Sequence, residues 1–163
     1  MKIRKAHSTD RGEIASIYAE VAGNVQGITR RPEEITQTYI FSLLNKPESE
    51  CIFLVMEDEE LDIIGFAHAE KPGLAVYDHI LSNYTIAVTS EKQHKGVGRA
   101  LFMGFLEYLA ANRPDVKRLE MEVENDQKRI DTFEKTGFKK EAIIKGRVRS
   151  LDGEFYDQVL MAW

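Results

Sequence analysis

The chain has one cysteine, Cys51, so no disulfide can form within it and no cysteine cluster can hold a metal. Cys51 opens the apolar run from Cys51 to Met56, where a thiol reads as core packing rather than chemistry. No apolar run approaches the length of a membrane span. The basic start, Lys2 to Lys5, leads into His7-Ser8-Thr9-Asp10 instead of an apolar stretch, which is not the pattern of a signal peptide. Positive charge is also scarce. Against 27 acidic residues stand 22 Lys and Arg, a net charge of −5, and only short pairs such as Arg30-Arg31 and Lys139-Lys140 are purely basic. This balance argues against nucleic acid as the main partner. The expected compartment is the cytoplasm, with no membrane contact and no metal. No internal repeat, linker or low-complexity segment interrupts the chain. Its 163 residues, 43% hydrophobic and 30% charged, are expected to form one globular domain over residues 1–163.

Local signals give the elements. Lys2 to Ala6 suits a first strand, and Thr9 or Asp10 caps a helix from about Arg11 to Val21. Residues 22 to 29 hold two glycines and read as a connection. Pro32, followed by Glu33 and Glu34, opens a second helix running to about Leu44. Cys51 to Met56 and Leu61 to Ala69 form a hairpin around the acidic tip Glu57 to Glu60, and Gly65 marks a bulge or a close approach. A strand region runs from about Val76 to Val88, and a long apolar helix from Gly98 to Ala111, closed by Pro114. Arg118 to Val123 alternates as a strand, and Gln127 to Thr136 is a helix stopped by Gly137. Lys139 to Arg149 and Glu154 to Trp163 make a final hairpin around Asp152-Gly153, read as a two-residue turn.

The most informative stretch is the turn Gln93-His94-Lys95-Gly96-Val97-Gly98-Arg99 between strand and helix. Two glycines let the backbone approach a ligand, and the helix that follows aims its first N–H groups into the turn. Lys95 and Arg99 add positive charge, so a phosphate-bearing ligand is the natural guest. A P-loop would place Lys-Ser/Thr after the last glycine, where Arg99-Ala100 stands, and a dinucleotide fingerprint would need a small residue at Leu101. Both fail.

Gln93-x-x-Gly96-x-Gly98, after a strand ending Ile86-Ala87-Val88, resembles the acyl-CoA-binding motif of the GNAT superfamily of N-acyltransferases. Leu119 to Asn125 is similar to the next strand of that family with its terminal Asn. Arg129 to Phe138 is similar to its pattern Ala-Ile-x-Leu-Tyr-x-Lys-x-Gly-Phe, and Asp152 to Met161 to its closing hairpin. The resemblance is close over residues 80 to 163 and holds in layout before them. It implies an α+β fold with a mixed, mostly antiparallel sheet of about seven strands, splayed between the fourth and fifth, among about four helices.

The resemblance also implies roles. Acetyl-CoA would lay its pyrophosphate on the N–H groups of residues 93 to 99 and its arm along Ile86, Ala87 and Val88 like an added strand. An N–H near Val88 would stabilise the oxyanion, and Asn125 and Phe133 would contact the arm. Phe133 stands where the family commonly has a Tyr proton donor, so Tyr156 or Tyr108 would have to donate, or the thiolate would leave unprotonated. For the base the candidates are Tyr84, on the strand before the motif, and Glu122 or Glu124 acting through water; His68 and His79 have no supporting spacing. Arg30, Arg31, Arg147 and Tyr156 fall in the segments that bind the acceptor in this family, and the arginines suit a carboxylate or phosphate. The expected activity is acetyl transfer to a small primary amine, an amino acid, polyamine or amino sugar. The alternatives are a protein amino terminus or lysine as acceptor, or a non-catalytic acyl-CoA sensor. A homodimer is a candidate assembly.

Overall fold

The computed structural model describes residues 1–22, 30–150 and 152–163. Its elements are β1 (Lys2–Lys5), α1 (Arg11–Ala22), α2 (Gln37–Leu44), β2 (Cys51–Glu57), β3 (Ile63–Glu70) and β4 (Ile80–Val88). They continue with α3 (Val97–Asn112), β5 (Arg118–Glu124), α4 (Gln127–Glu134), β6 (Lys139–Arg149) and β7 (Phe155–Ala162). The strands form a seven-stranded mixed sheet in the order β1-β2-β3-β4-β5-β7-β6. The β4–β5 pair is parallel, at Ile80↔Arg118 and Leu81↔Leu119. The β1–β2, β2–β3, β5–β7 and β6–β7 pairs are antiparallel. This is the α+β architecture the sequence led us to expect. No helix among the described residues is long and apolar enough to cross a membrane.

Packing gathers the chain into two compact units, Met1–Glu70 with Thr85–Pro114, and Lys71–Tyr84 with Asp115–Trp163. In the first unit β2 and β3 are buried along almost their whole length, which is why they read as continuous apolar runs. Ile14, Ile17 and Tyr18 of α1 and Ile40 and Leu43 of α2 join Phe53, Val55 and Phe66 in one core. The Arg4 guanidinium reaches Asp10 at 2.7 and 3.1 Å and Glu57 at 2.6 Å, tying β1 to its neighbours. Asp10, expected as a helix cap, instead turns back to accept the His7 N–H at 2.7 Å.

Gly65 resolves to a close approach. A Cβ placed there would lie 2.8 Å from the Ala87 carbonyl oxygen and 3.3 Å from Val88 Cγ2. Backbone cannot yield as a side-chain tip can, so Gly65→Ala should cost about 1–3 kcal/mol as overpacking. A lowered urea midpoint is the expected reading, and an unchanged midpoint would contradict this contact.

Several boundaries differ from the sequence reading for local reasons. The second helix breaks: Pro32–Glu34 is a separate tight turn, Ile35 leaves it at φ −88°, ψ 70°, and Thr36 caps α2 by accepting the Tyr39 N–H at 3.1 Å. The strand expected from Val76 starts at Ile80, because Ala75–Tyr77 is a helical turn. Leu61, expected in β3, stands at φ 69° in a turn where the Asp58 carboxylate accepts the N–H groups of Glu60 and Asp62.

In the second unit Leu119, Met121 and Val123 alternate into the core, with Met121 paired to Met161 and Val123 to Val159. Asp126 caps α4 by accepting the Arg129 N–H at 2.9 Å, and Gly137, at φ 103°, ends the turn after it. The last hairpin is longer than a two-residue turn. Ser150 N–H donates to the Glu154 carbonyl at 2.9 Å, which sets the closing pair wider than a two-residue turn would, with Gly153 at φ 93°. Within β6 the register shifts between Ile144 and Val148. Asp157 holds that bulge, accepting from Gly146 N–H at 2.9 Å and Lys145 Nζ at 2.7 Å.

Candidate active site

The first unit brings Ile86 to Arg99 together as one continuous feature. β4 ends at Val88, and the Thr89 N–H bonds back to the Ile64 carbonyl of β3 at 3.0 Å. The chain then turns through Ser90–Lys92 and Gln93 to Gly96 into α3. His94 at φ 59° and Gly96 at φ 83° both take the left-handed conformation, which reverses the chain within a few residues. Gln93 Nε2 donates to the Val88 carbonyl at 2.9 Å, so this side chain locks the turn onto the strand end.

The first helical hydrogen bond from this turn joins Ala100 N–H to the Gly96 carbonyl at 3.0 Å. The N–H groups of Val97, Gly98 and Arg99 therefore stand ahead of the helical ladder, at the positive end of a helix running to Asn112. Gly98 differs from Gly96 in what it supplies. A Cβ at Gly98 would meet only Val88 Cγ2, at an ordinary 3.7 Å, and its backbone is helical. What it offers is open space over the N–H groups. His94, Lys95 and Arg99 are exposed around that space, while Val97 is buried beneath it. The donors, the clear surface and the two cations suit a phosphate ester.

Other candidates fall as follows. Asn125 is exposed at the end of β5, its own N–H held by the Asp157 carbonyl at 3.3 Å. Phe133 is half-buried on α4, its ring 6.1 Å from that of Phe138. Glu124 lies 3.9 Å from Arg129 Nε and Glu122 lies 3.4 Å from Arg147. Tyr156 is exposed on β7 opposite Val148, and His79 is exposed ahead of β4. Arg31 sits 4.0 Å from Glu33, and Arg30 lies over the Tyr39 ring at 4.0 Å. The acceptor segment expected before Arg30 lies, over residues 23–29, outside the described residues.

Two hydroxyls change character. Tyr84 is buried, and burial pushes its hydroxyl well above the ordinary value, so it stays protonated and cannot take up a proton as a phenolate. Tyr108, considered as a proton donor, sits about 16 Å along α3 from Val97 at a helical rise of ~1.5 Å per residue. There it donates to the Glu48 carboxylate, away from the turn.

Sequence spacing gave no sign of Glu20. From the last turns of α1 it accepts the Ser90 N–H at 2.8 Å, and Glu13, two turns earlier, accepts the Ile63 N–H at 3.2 Å. One helix thereby holds both the start of β3 and the start of the turn that leads through Gln93 to Gly96. No local pattern signals a contact between residues 20 and 90.

A family model for the acetyltransferase (GNAT) domain matches residues 49–140. Among solved structures the chain is similar to ribosomal-protein-alanine N-acetyltransferase from Brucella melitensis, at 21% identity and TM-score 0.85, covering 100% of this chain and 99% of that one. It is similar to a phosphinothricin acetyltransferase from Sinorhizobium meliloti in complex with AcCoA, at 19% identity and TM-score 0.80, covering 99% and 86%. It is similar also to yncA from Salmonella typhimurium, solved with its cofactor acetyl-CoA, at 18% identity and TM-score 0.80, covering 100% and 92%. No curated protein matches the chain by sequence.

Proposed function

The chain belongs to the GNAT acetyltransferase family, and from that premise we propose that it transfers the acetyl group of acetyl-CoA to the primary amine of a small molecule. An amino acid, polyamine or amino sugar is the proposed acceptor class. The observation that carries the reading is the open backbone of Gly98 among the N–H groups of Val97 and Arg99, at the end of β4. When bound there, acetyl-CoA supplies a thioester carbon to which the amine nitrogen bonds as the C–S bond breaks and an amine proton is released.

The chain's own residues have distinct parts in this proposal. Gln93 to Arg99 bind the phosphates, with Lys95 and Arg99 supplying charge. Ile86, Ala87 and Val88 offer strand backbone to the extended arm, and an N–H near Val88 faces developing negative charge. Asn125 and Phe133 contact the arm, Phe133 by packing alone. Glu124 takes the amine proton through water, and Tyr84, kept protonated by burial, is set aside as the base. Arg30, Arg31 and Tyr156 face the acceptor. The buried free thiol of Cys51 suits a cytoplasmic setting, and a second copy of the chain is the candidate protein partner.

The test measures CoA thiol released from acetyl-CoA with and without amino acids, polyamines and amino sugars. Release that depends on a small amine is the expected result. An alanine-terminated peptide belongs in the panel because one similar structure is a ribosomal-protein-alanine N-acetyltransferase. Release with the peptide alone would make the acceptor a protein. Saturable acetyl-CoA binding with no release from any member would sink the transferase.

A further inference from the structure

Of the three arginines that suit an anionic acceptor, two are engaged. Arg147 lies 3.4 Å from Glu122, and Arg31 lies 4.0 Å from Glu33 while its own N–H bonds Glu34. Arg30 has no carboxylate within ion-pair distance among the described residues. Its guanidinium carbon lies over the Tyr39 ring at 4.0 Å, and a guanidinium stacked face-on to a ring keeps its edge N–H groups for a carboxylate. The nearby Lys46 is no substitute, being paired with Glu70.

Beneath Arg30 a polar chain enters an otherwise aromatic core. Tyr18 Oη lies 3.3 Å from Tyr39 Oη and 3.4 Å from His68 Nε2. His68 is 1% exposed and stacks on Phe53 at 5.0 Å and Phe66 at 6.2 Å. Its Nδ1 has no hydrogen-bond partner among the described residues. A buried polar atom without a partner is costly, and a phenyl ring would fill the same aromatic slot without that cost. Burial first, then the charges of Arg30 and Lys46, pull the imidazole down to about 3, so it is neutral at ordinary pH. A neutral imidazole has one donor and one acceptor nitrogen, and so sets the direction of a hydroxyl chain. With the proton on Nδ1, Nε2 accepts from Tyr18, Tyr18 accepts from Tyr39, and the Tyr39 oxygen presents lone pairs outward.

We propose that the acceptor is an amine that also carries a carboxylate, which Arg30 binds while the Tyr39 oxygen takes an amine N–H. His68 is the positioning residue that orients this hydroxyl through Tyr18. The proposal rests on the acetyltransferase reading and names its acceptor class.

The test compares matched acceptors, an amino acid, the amine left when its carboxylate is removed, and the same amine bearing a phosphate ester. Turnover and calorimetric binding to the CoA-saturated protein are both measured. The carboxylate-bearing member should have a KM at least about tenfold lower, the scale of one charge-assisted contact. Arg30→Gln should erase that difference and leave acetyl-CoA affinity unchanged. His68→Phe should raise the acceptor KM without lowering Tm, and His68→Gln, whose amide can accept from Tyr18, should restore part of it. Equal handling of the acceptors, a phosphate preference, or a preference that survives Arg30→Gln would overturn the subsite. A lowered Tm with unchanged KM in His68→Phe would reduce His68 to a structural role. Turnover without carboxylate preference would refute the subsite and keep the transferase. Carboxylate-dependent binding without turnover would do the reverse, and neither binding nor turnover of the carboxylate-bearing amines would refute the subsite.

Discussion

Gly98→Trp should abolish acetyl-CoA binding while the protein still folds. The Gly98 backbone is helical and a Cβ there meets only Val88 Cγ2 at 3.7 Å, so the substitution strains neither the backbone nor a packed neighbour. The indole must instead lie over the N–H groups ahead of the helical ladder, where the phosphates would sit. Losing two hydrogen bonds to a charged group, each worth ~1.5–3 kcal/mol, would weaken binding by about 10²–10⁴. Calorimetric titration with acetyl-CoA measures this, with a thermal melt as the control for folding. Gly98→Ala should lie between the variant and the parent. Gly96→Ala would be a poorer probe, since φ 83° penalises any side chain whatever binds there. Undiminished affinity in Gly98→Trp would move the cofactor away from residues 93–99.

Arg4→Met should be the most destabilising single change on the β1 side of the sheet, at about 3–5 kcal/mol, because it strands buried carboxylates. Asp10 and Glu57 are 6% and 8% exposed and both bond the Arg4 guanidinium. Burial alone would raise the Asp10 carboxyl. The Arg4 bonds and the His7 N–H outweigh it and hold the group below its usual value. A carboxylate depressed in the folded state adds stability that is present above its unfolded value, ~3.9, and fades as pH falls through the folded one. The parent should therefore lose stability as pH drops below about 4. In Arg4→Met the Asp10 value should rise, so the variant should lose less as the pH is lowered. Urea midpoints between neutral and acid pH would show this. Parallel pH curves for the two proteins would mean that Arg4 does not set the Asp10 ionisation.

Local chemistry made much of this legible. Gly65, read as a bulge or a close approach, has the Ala87 carbonyl oxygen 2.8 Å from where a Cβ would stand, and Gly137, read as a helix stop, takes φ 103°. The apolar runs of β2 and β3 and the alternation of β5 follow from burial on two faces and on one. Boundaries failed where a side chain competes with the ladder. Thr36 captures the Tyr39 N–H and splits a helix that Pro32 and its glutamates would otherwise have opened. The candidate site could be read from the sequence where its residues are contiguous, from Ile86 to Arg99. Glu20 against Ser90, and Tyr18, Tyr39 and His68 in one chain, come from distant positions and leave no spacing to read.

The small bulge that Asp157 holds in β6 bears on solubility. β6 is the last strand in the sheet order and is exposed along most of its length, with Ile143 open to solvent. A straight edge of that composition would be a template on which further chains could add, the first step toward fibrous aggregates. Gly146 at φ 56° kinks the strand, and Lys145 carries its charge at the kink, so an incoming strand finds only short straight runs on either side. At the opposite end of the order β1 is short and basic. A single carboxylate, far in sequence from the turn at Gln93 to Arg99, thus helps to keep a concentrated solution of this protein free of runaway strand addition.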